Sequence, residues 1–144
     1  MKDDPNKHTH ENSNDTNHSI GAIIHRDGKY LLLDRKNFPF GFACVAGHIK
    51  KNQTEEQALN EEVLEESCLK VISFKKVIEE YVDWNDCRRH KGHYYNVYEI
   101  HTAGEPRICE DEAKSMGWFT PKQMKTLKLE PVWEYFFRKL GVLK

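Results

Sequence analysis

Hydrophobic and polar positions along the chain switch between two periods, and the switches mark its elements. Apolar runs at Ile20 to Ile24 and Lys29 to Leu33 flank His25-Arg26-Asp27-Gly28. Asp-Gly between two such runs predicts a β-hairpin, because Gly accepts the positive φ of a tight turn. Phe38 to Val45 reads as a third extended stretch, interrupted by Pro39 and Gly41, and Gly47 is expected to open a polar loop reaching Gln53. Thr54-Glu55-Glu56-Gln57 has the form of a capping box, so a helix is predicted from there to about Ser67. Leu69 to Val82 reads as one or two strands, Asp83 to Gly92 as a charged loop and His93 to His101 as a strand. Ala103 to Ser115 is polar, Met116 to Phe119 is a short strand, and Pro121 starts a helical turn. Pro131 suits a helix start, after which Trp133, Phe136, Phe137 and Leu140 share one face. Strands, helix, strands and helix in that order predict a mixed α/β domain.

The first eighteen residues, Met1 to His18, lack apolar periodicity and are rich in Asn, Asp, His, Lys and Thr. They read as a disordered polar tail, with the folded domain expected over 19–144. His8, His10 and His18 are taken as solvated tail residues rather than as metal ligands.

Length and charge narrow the function classes. The chain has 144 residues, enough for one domain with a core, and a net charge of -1. That balance argues against a general electrostatic clamp on nucleic acid. Cys44, Cys68, Cys87 and Cys109 form no CxxC pair, and are expected as free thiols in a cytoplasmic protein. No apolar run approaches the roughly 20 residues that cross a bilayer, so no membrane partner is expected. A homodimer is left open.

The chemistry concentrates on the first helix, which carries Glu55, Glu56, Glu61, Glu62, Glu65 and Glu66 and no lysine or arginine. Residues three and four apart share a helix face, so Glu62, Glu65 and Glu66 project together. Like charges at that spacing destabilise a helix by a few tenths of a kcal/mol each. The cluster is either a solvated acidic face or a site for a hard cation such as Mg²⁺ or Mn²⁺, which takes oxygen ligands.

Gly47-His48-Ile49 followed by Glu62-Val63-Leu64-Glu65-Glu66-Ser67-Cys68-Leu69 resembles the Nudix box, whose pattern is G-x5-E-x7-R-E-U-x-E-E-x-G-U with U apolar. The match holds at Gly47, Glu62, Val63, Glu65, Glu66 and Leu69. Gln53 stands for the first glutamate, Glu61 for the arginine, Cys68 for the late glycine and Ala46 for a glycine common before Gly47. Gln53 is expected to donate to Glu61 and keep loop and helix together. The resemblance implies an α+β fold in which helices sandwich a mixed β-sheet. It also implies metal-dependent hydrolysis of a pyrophosphate bond in a nucleoside diphosphate-linked or nucleoside triphosphate substrate. The metal, Mg²⁺ or Mn²⁺, would be held by Glu62, Glu65, Glu66 and the Gly47 carbonyl, with Glu112 from a late loop as a further catalytic carboxylate and Glu110 and Asp111 as its competitors. Arg35 resembles a phosphate contact. From the residues themselves, Arg88 and Arg89 in the charged loop and Tyr94 beyond it are substrate-binding candidates, since basic groups beside aromatic rings can hold phosphates and stack a base. The alternative is a non-catalytic module of the same fold that binds a nucleotide derivative.

Overall fold

The computed structural model describes residues 15–84, 92–109 and 113–144. Its elements are β1 (Asp15–Arg26), β2 (Lys29–Arg35), β3 (Phe42–Ala43), β4 (Val45–Lys50), α1 (Glu55–Ser67), β5 (Lys70–Val82), β6 (His93–Ala103), β7 (Ala113–Phe119), α2 (Pro121–Met124) and α3 (Pro131–Lys139). The expected mixed α/β architecture is present, as seven strands with helices on both faces.

β1 organises the sheet. It runs parallel to β6, with Ile20 opposite Asn96 and Ile24 opposite Ile100, and antiparallel to β4, with Ile20 opposite Gly47. Its last residues turn into β2 through Asp27 and Gly28, at φ 52° and 78°, the double positive φ of a two-residue hairpin. β2 then pairs with β3 and β7, and β5 lies beyond β6.

Alternation along β1 divides the core in two. Ile20, Ala22 and Ile24 face one way and pack with Ala58, Leu59 and Val63 of α1. Ile23 faces the other way and packs with Trp133, Phe136 and Phe137 of α3. Gly21 shares that second face, and a Cβ there would lie 2.6 Å from the Trp133 ring, so the indole needs a residue without a side chain. Burying each such large apolar side chain contributes roughly 1.5–3 kcal/mol, and Trp133, Phe136 and Phe137 are all nearly inaccessible to solvent.

Three boundaries differ from expectation. β1 already begins at Asp15, ahead of the expected domain start at 19, because Asp15 pairs with Lys50 and His18 with Tyr94. Residues 1–14, most of the expected tail, lie outside the described residues. Gly47 sits inside a strand rather than opening a loop: Val45 and Ile49 bury their side chains towards α1 while the backbone pairs with β1. The last strand starts at Ala113, since Asp34 and Arg35 of β2 carry the pairing back past Met116.

Candidate functional site

Local chemistry holds α1 where the sequence places it. Thr54 accepts a hydrogen bond from the Gln57 N–H at 3.0 Å, and the Gln57 side chain accepts one from the Thr54 N–H at 2.9 Å. This is the reciprocal capping box expected from the sequence. Glu55 in the first turn accepts from the Tyr98 hydroxyl and pairs with Lys76 at 2.9 Å, which fastens the helix start to β5 and β6. Burial pushes the Glu55 carboxyl up, but the bonds from Tyr98 and Lys76 outweigh it and hold the group below its ordinary value. Burial first, then Glu55, pushes the Tyr98 phenol up to about 12.

The helix ends at Cys68, which adopts φ 61° and ψ 19° and donates its N–H to the Leu64 carbonyl at 2.9 Å. This left-handed conformation is the one a C-terminal glycine usually takes. The Cys68 sulfur is bonded to that of Cys109, with 5.9 Å between the Cα atoms, within the range a disulfide requires. The free-thiol expectation is therefore corrected for Cys68 and Cys109. Two cysteines far apart in sequence are brought together by the fold, with the Arg107 N–H donating to the Ser67 carbonyl beside them. Cys44 remains a free, buried thiol whose ionisation burial pushes well up, with the Glu130 charge adding to it. Cys87 lies outside the described residues.

The glutamate face of α1 is not a solvated one. Glu61, Glu62, Glu65 and Glu66 are all half-buried, while the apolar Leu64 on the same stretch is 56% exposed. Glu62 reaches back to Gly47 of β4 and Glu61 to Lys50 and Gln53, while Leu64 points to solvent. Glu62 and Gly47 meet most closely: a Cβ on Gly47 would fall 2.2–2.6 Å from the carboxylate atoms of Glu62. The missing side chain makes a cradle for that carboxylate against β4. Among the described residues no group of three His, Cys, Asp or Glu side chains is drawn together tightly enough to hold a metal ion. The donor chemistry nevertheless fits a hard cation, since carboxylate oxygens on one face meet a strand backbone stripped of its Cβ.

Glu66 also lines a small open cleft together with Leu33, Arg35, Asn37, Ala43, Cys44 and Ala113. Arg35, at the end of β2, is held by its Nε–H donating to the Pro39 carbonyl at 2.6 Å and its backbone N–H donating to the Gly41 carbonyl at 3.0 Å. Two candidates from distant parts of the sequence, Arg35 and Glu66, thus share one cleft. Ala113 lies on its wall, while Glu112, Glu110 and Asp111 lie outside the described residues. Arg88 and Arg89 also lie outside them. Tyr94 is described and is not a residue of the cleft lining. It stacks on His18 with ring centroids 4.7 Å apart and meets Tyr81 at 4.6 Å.

Sequence reasoning missed Asn37 and Cys44 in the cleft and Lys50 beside the helix. Gln53 Nε2 donates to Glu61 Oε1 at 2.8 Å, as expected, but Lys50 Nζ joins it at 3.3 Å from both Glu61 oxygens. The hydrogen bond from Gln53, then that from Lys50, hold the Glu61 carboxyl below its ordinary value despite some burial. The basic residue three positions before Gln53 was the available signal.

A family model described as the NUDIX domain matches residues 16–140. Human "NAD-capped RNA hydrolase NUDT12" is 31% identical over 120 residues, covering 82% of this chain and 25% of that protein. The chain thus spans about a quarter of the length of this relative. An "ADP-ribose pyrophosphatase" of Methanocaldococcus jannaschii is 29% identical over 115 residues, covering 78% of this chain and 66% of that protein. Among solved structures, a MutT NUDIX hydrolase from Burkholderia pseudomallei is similar with a TM-score of 0.65 and 29% identity, over 73% of this chain and 83% of that one. The NUDIX domain of Shewanella oneidensis NrtR, complexed with ADP ribose, shares the fold with a TM-score of 0.72 at 16% identity, over 85% of this chain and 84% of that one.

Proposed function

The chain belongs to the Nudix family, and from that premise we propose that it hydrolyses a pyrophosphate bond in a nucleotide-like substrate with the help of Mg²⁺ or Mn²⁺. The observation that carries this reading is the half-buried carboxylate face of α1, with Glu62 seated against Gly47 and Glu66 sharing a cleft with Arg35. A face kept only for solubility would be exposed, whereas these carboxylates are half-buried and crowd like charges at i, i+3 and i+4.

In this proposal Glu62, Glu65, Glu66 and the Gly47 carbonyl hold the cation. When bound, a divalent cation neutralises charge on a bridging phosphate and lowers the pKa of a coordinated water. Arg35, fixed by Pro39 and Gly41, presents its remaining guanidinium donors to a phosphate oxygen across the cleft from Glu66. Glu112 is the proposed further carboxylate to accept a proton from the attacking water. Arg88, Arg89 and Tyr94 are proposed substrate contacts; of these Tyr94, stacked on His18, supports at most a contact outside the cleft.

The relatives' names span ADP-ribose, nucleoside triphosphates and an NAD cap on RNA. The test is therefore a panel of ADP-ribose, NADH, nucleoside triphosphates and NAD-capped RNA, assayed for phosphate or monophosphate release with Mg²⁺, with Mn²⁺ and with chelator. Cleavage of at least one substrate, abolished by chelator and by Glu66→Gln, is expected. Tight binding of a nucleotide without cleavage under any metal would favour a non-catalytic binding module instead. The observation on that side is the altered pair Gln53–Glu61 at the loop–helix junction.

A further inference from the structure

Glu61 sits one residue before Glu62 and four before Glu65, midway along a helix that carries no lysine or arginine. Alone it adds like charge to the face, four residues before Glu65. The structure surrounds it with a closed ring of contacts from the preceding strand and turn. Lys50, the last residue of β4, places Nζ 3.3 Å from both Glu61 oxygens. Gln53 donates to Glu61 at 2.8 Å and accepts at its own Oε1 from the Lys50 N–H at 3.0 Å. The Gln53 N–H donates to the Lys50 carbonyl at 3.1 Å across the turn. Backbone of Lys50, side chain of Gln53, carboxylate of Glu61 and ammonium of Lys50 therefore form one loop of bonds.

We propose that Lys50 is a positioning residue: through Glu61 and Gln53 it locks the end of β4, which supplies Gly47, to the part of α1 that supplies Glu62 and Glu65. This rests on the proposed metal site and adds to it the residue that sets its geometry. Two observations single out positioning over bulk stability. The ion pair is far from fully buried, with side chains 43% and 32% exposed, and pairs of that kind contribute only about 0–1 kcal/mol. The ring, by contrast, spans the junction where Glu62 meets Gly47 without room for a Cβ, so a small shift of strand against helix moves the carboxylate relative to the carbonyl. The charges of Glu65 and Glu62 also act on the Lys50 ammonium, after its bond to Glu61.

The sign of the effect on metal binding separates this from a bystander cation. A lysine that merely sits near the carboxylates repels a divalent ion, and its removal would tighten binding. A lysine that sets the geometry supports binding, and its removal weakens it. Mn²⁺ alone is titrated calorimetrically into the unsubstituted protein, Lys50→Met, Lys50→Arg, Gln53→Glu/Glu61→Arg, and that double variant with Lys50→Met added. The double variant puts opposite charges into the Gln53–Glu61 contact and so makes the ring independent of Lys50. Lys50→Met is expected to weaken Mn²⁺ binding about tenfold, in line with other groups that orient metal ligands, with a nearly unchanged melting temperature. Lys50→Arg restores binding, and Lys50→Met has no effect in the double variant. Native or tighter Mn²⁺ binding by Lys50→Met overturns the proposal, as does an equal loss in both backgrounds. No Mn²⁺ binding by the unsubstituted protein overturns the metal reading itself and the proposal with it, so the two failures are distinct.

Discussion

Reduction of the Cys68–Cys109 bond should destabilise the domain by a calculable amount. The bond closes a sequence separation of 41 residues. The loop-entropy relation for a cross-link of that length gives about 4 kcal/mol at 25 °C, acting chiefly by restricting the unfolded chain. For a chain of this size each kcal/mol moves the melting temperature by roughly 3–4 °C, so dithiothreitol should lower it by on the order of 10 °C. Substitution separates the cross-link from the backbone cost beneath it. Cys68 is a non-glycine residue at φ 61°, a conformation that costs an L-residue roughly 1–2 kcal/mol. Cys109→Ser removes the bond and leaves that cost in place. Cys68→Gly removes both the bond and the cost, and should melt higher than Cys109→Ser by several degrees. Differential scanning fluorimetry with and without reductant measures the shifts, and alkylation of the denatured, unreduced protein followed by mass spectrometry counts the thiols. Labelling of all four cysteines without reductant, or a melting curve that dithiothreitol does not move, would refute the reasoning.

Gly47→Ala should act on the site and spare the fold. Its Cβ meets the movable end of Glu62 rather than backbone, so the melting temperature should change by less than the equivalent of about 1 kcal/mol while turnover on any substrate found in the panel falls about a hundredfold; a fully active variant would sink the proposed seating of Glu62. Acid should loosen the anchor at the helix start. The Glu55 carboxyl is held below its ordinary value, so its contribution is complete above the unfolded value of about 4.3 and is lost as pH falls through the folded one. Glu55→Gln should therefore melt lower at pH 7 and show a shallower fall between pH 5 and pH 3 than the unsubstituted protein; parallel melting-temperature curves for the two would contradict the assignment.

Elements specified by adjacent residues were legible in the sequence. Asp27-Gly28 announced a hairpin because Gly28 accepts the positive φ of a tight turn, and the structure adds a second positive φ at Asp27. Thr54 and Gln57 announced the start of α1 because both halves of the capping box lie within four residues. α3 was legible from the spacing of Trp133, Phe136 and Phe137. β4 was misread because His48 and Lys50 are polar and Gly47 is a poor strand residue on its own. What makes it a strand is the neighbouring β1, which pairs with it from Ser19 to Ala22. That pairing lies in tertiary space, and no window of sequence contains it. The Cys68–Cys109 bond was hidden for the same reason, as its two ends meet only when the β6–β7 connection lies against the end of α1.

The candidate site shows how a motif can change its letters and keep its physics. The box residues that match, Gly47, Glu62, Glu65 and Glu66, were legible because helical spacing alone puts the glutamates on one face. The four departures looked like losses when read one position at a time. In the structure each physical requirement survives with different atoms. The left-handed helix end expected of a glycine is adopted by Cys68, which a disulfide then ties down. The tie between loop and helix is made by Gln53 donating to Glu61, with its positive charge moved from the helix to Lys50 on the strand. The small residue lost at Ala46 faces away from Glu62, towards the α3 side of the sheet, where a methyl group adds to the core without entering the cradle at Gly47. Because strand alternation separates the two positions, the substitution before Gly47 is tolerable where one at Gly47 is not. The same alternation explains why Gly47→Ala and an exchange at Ala46, one residue apart, should differ so widely in their effect on Glu62.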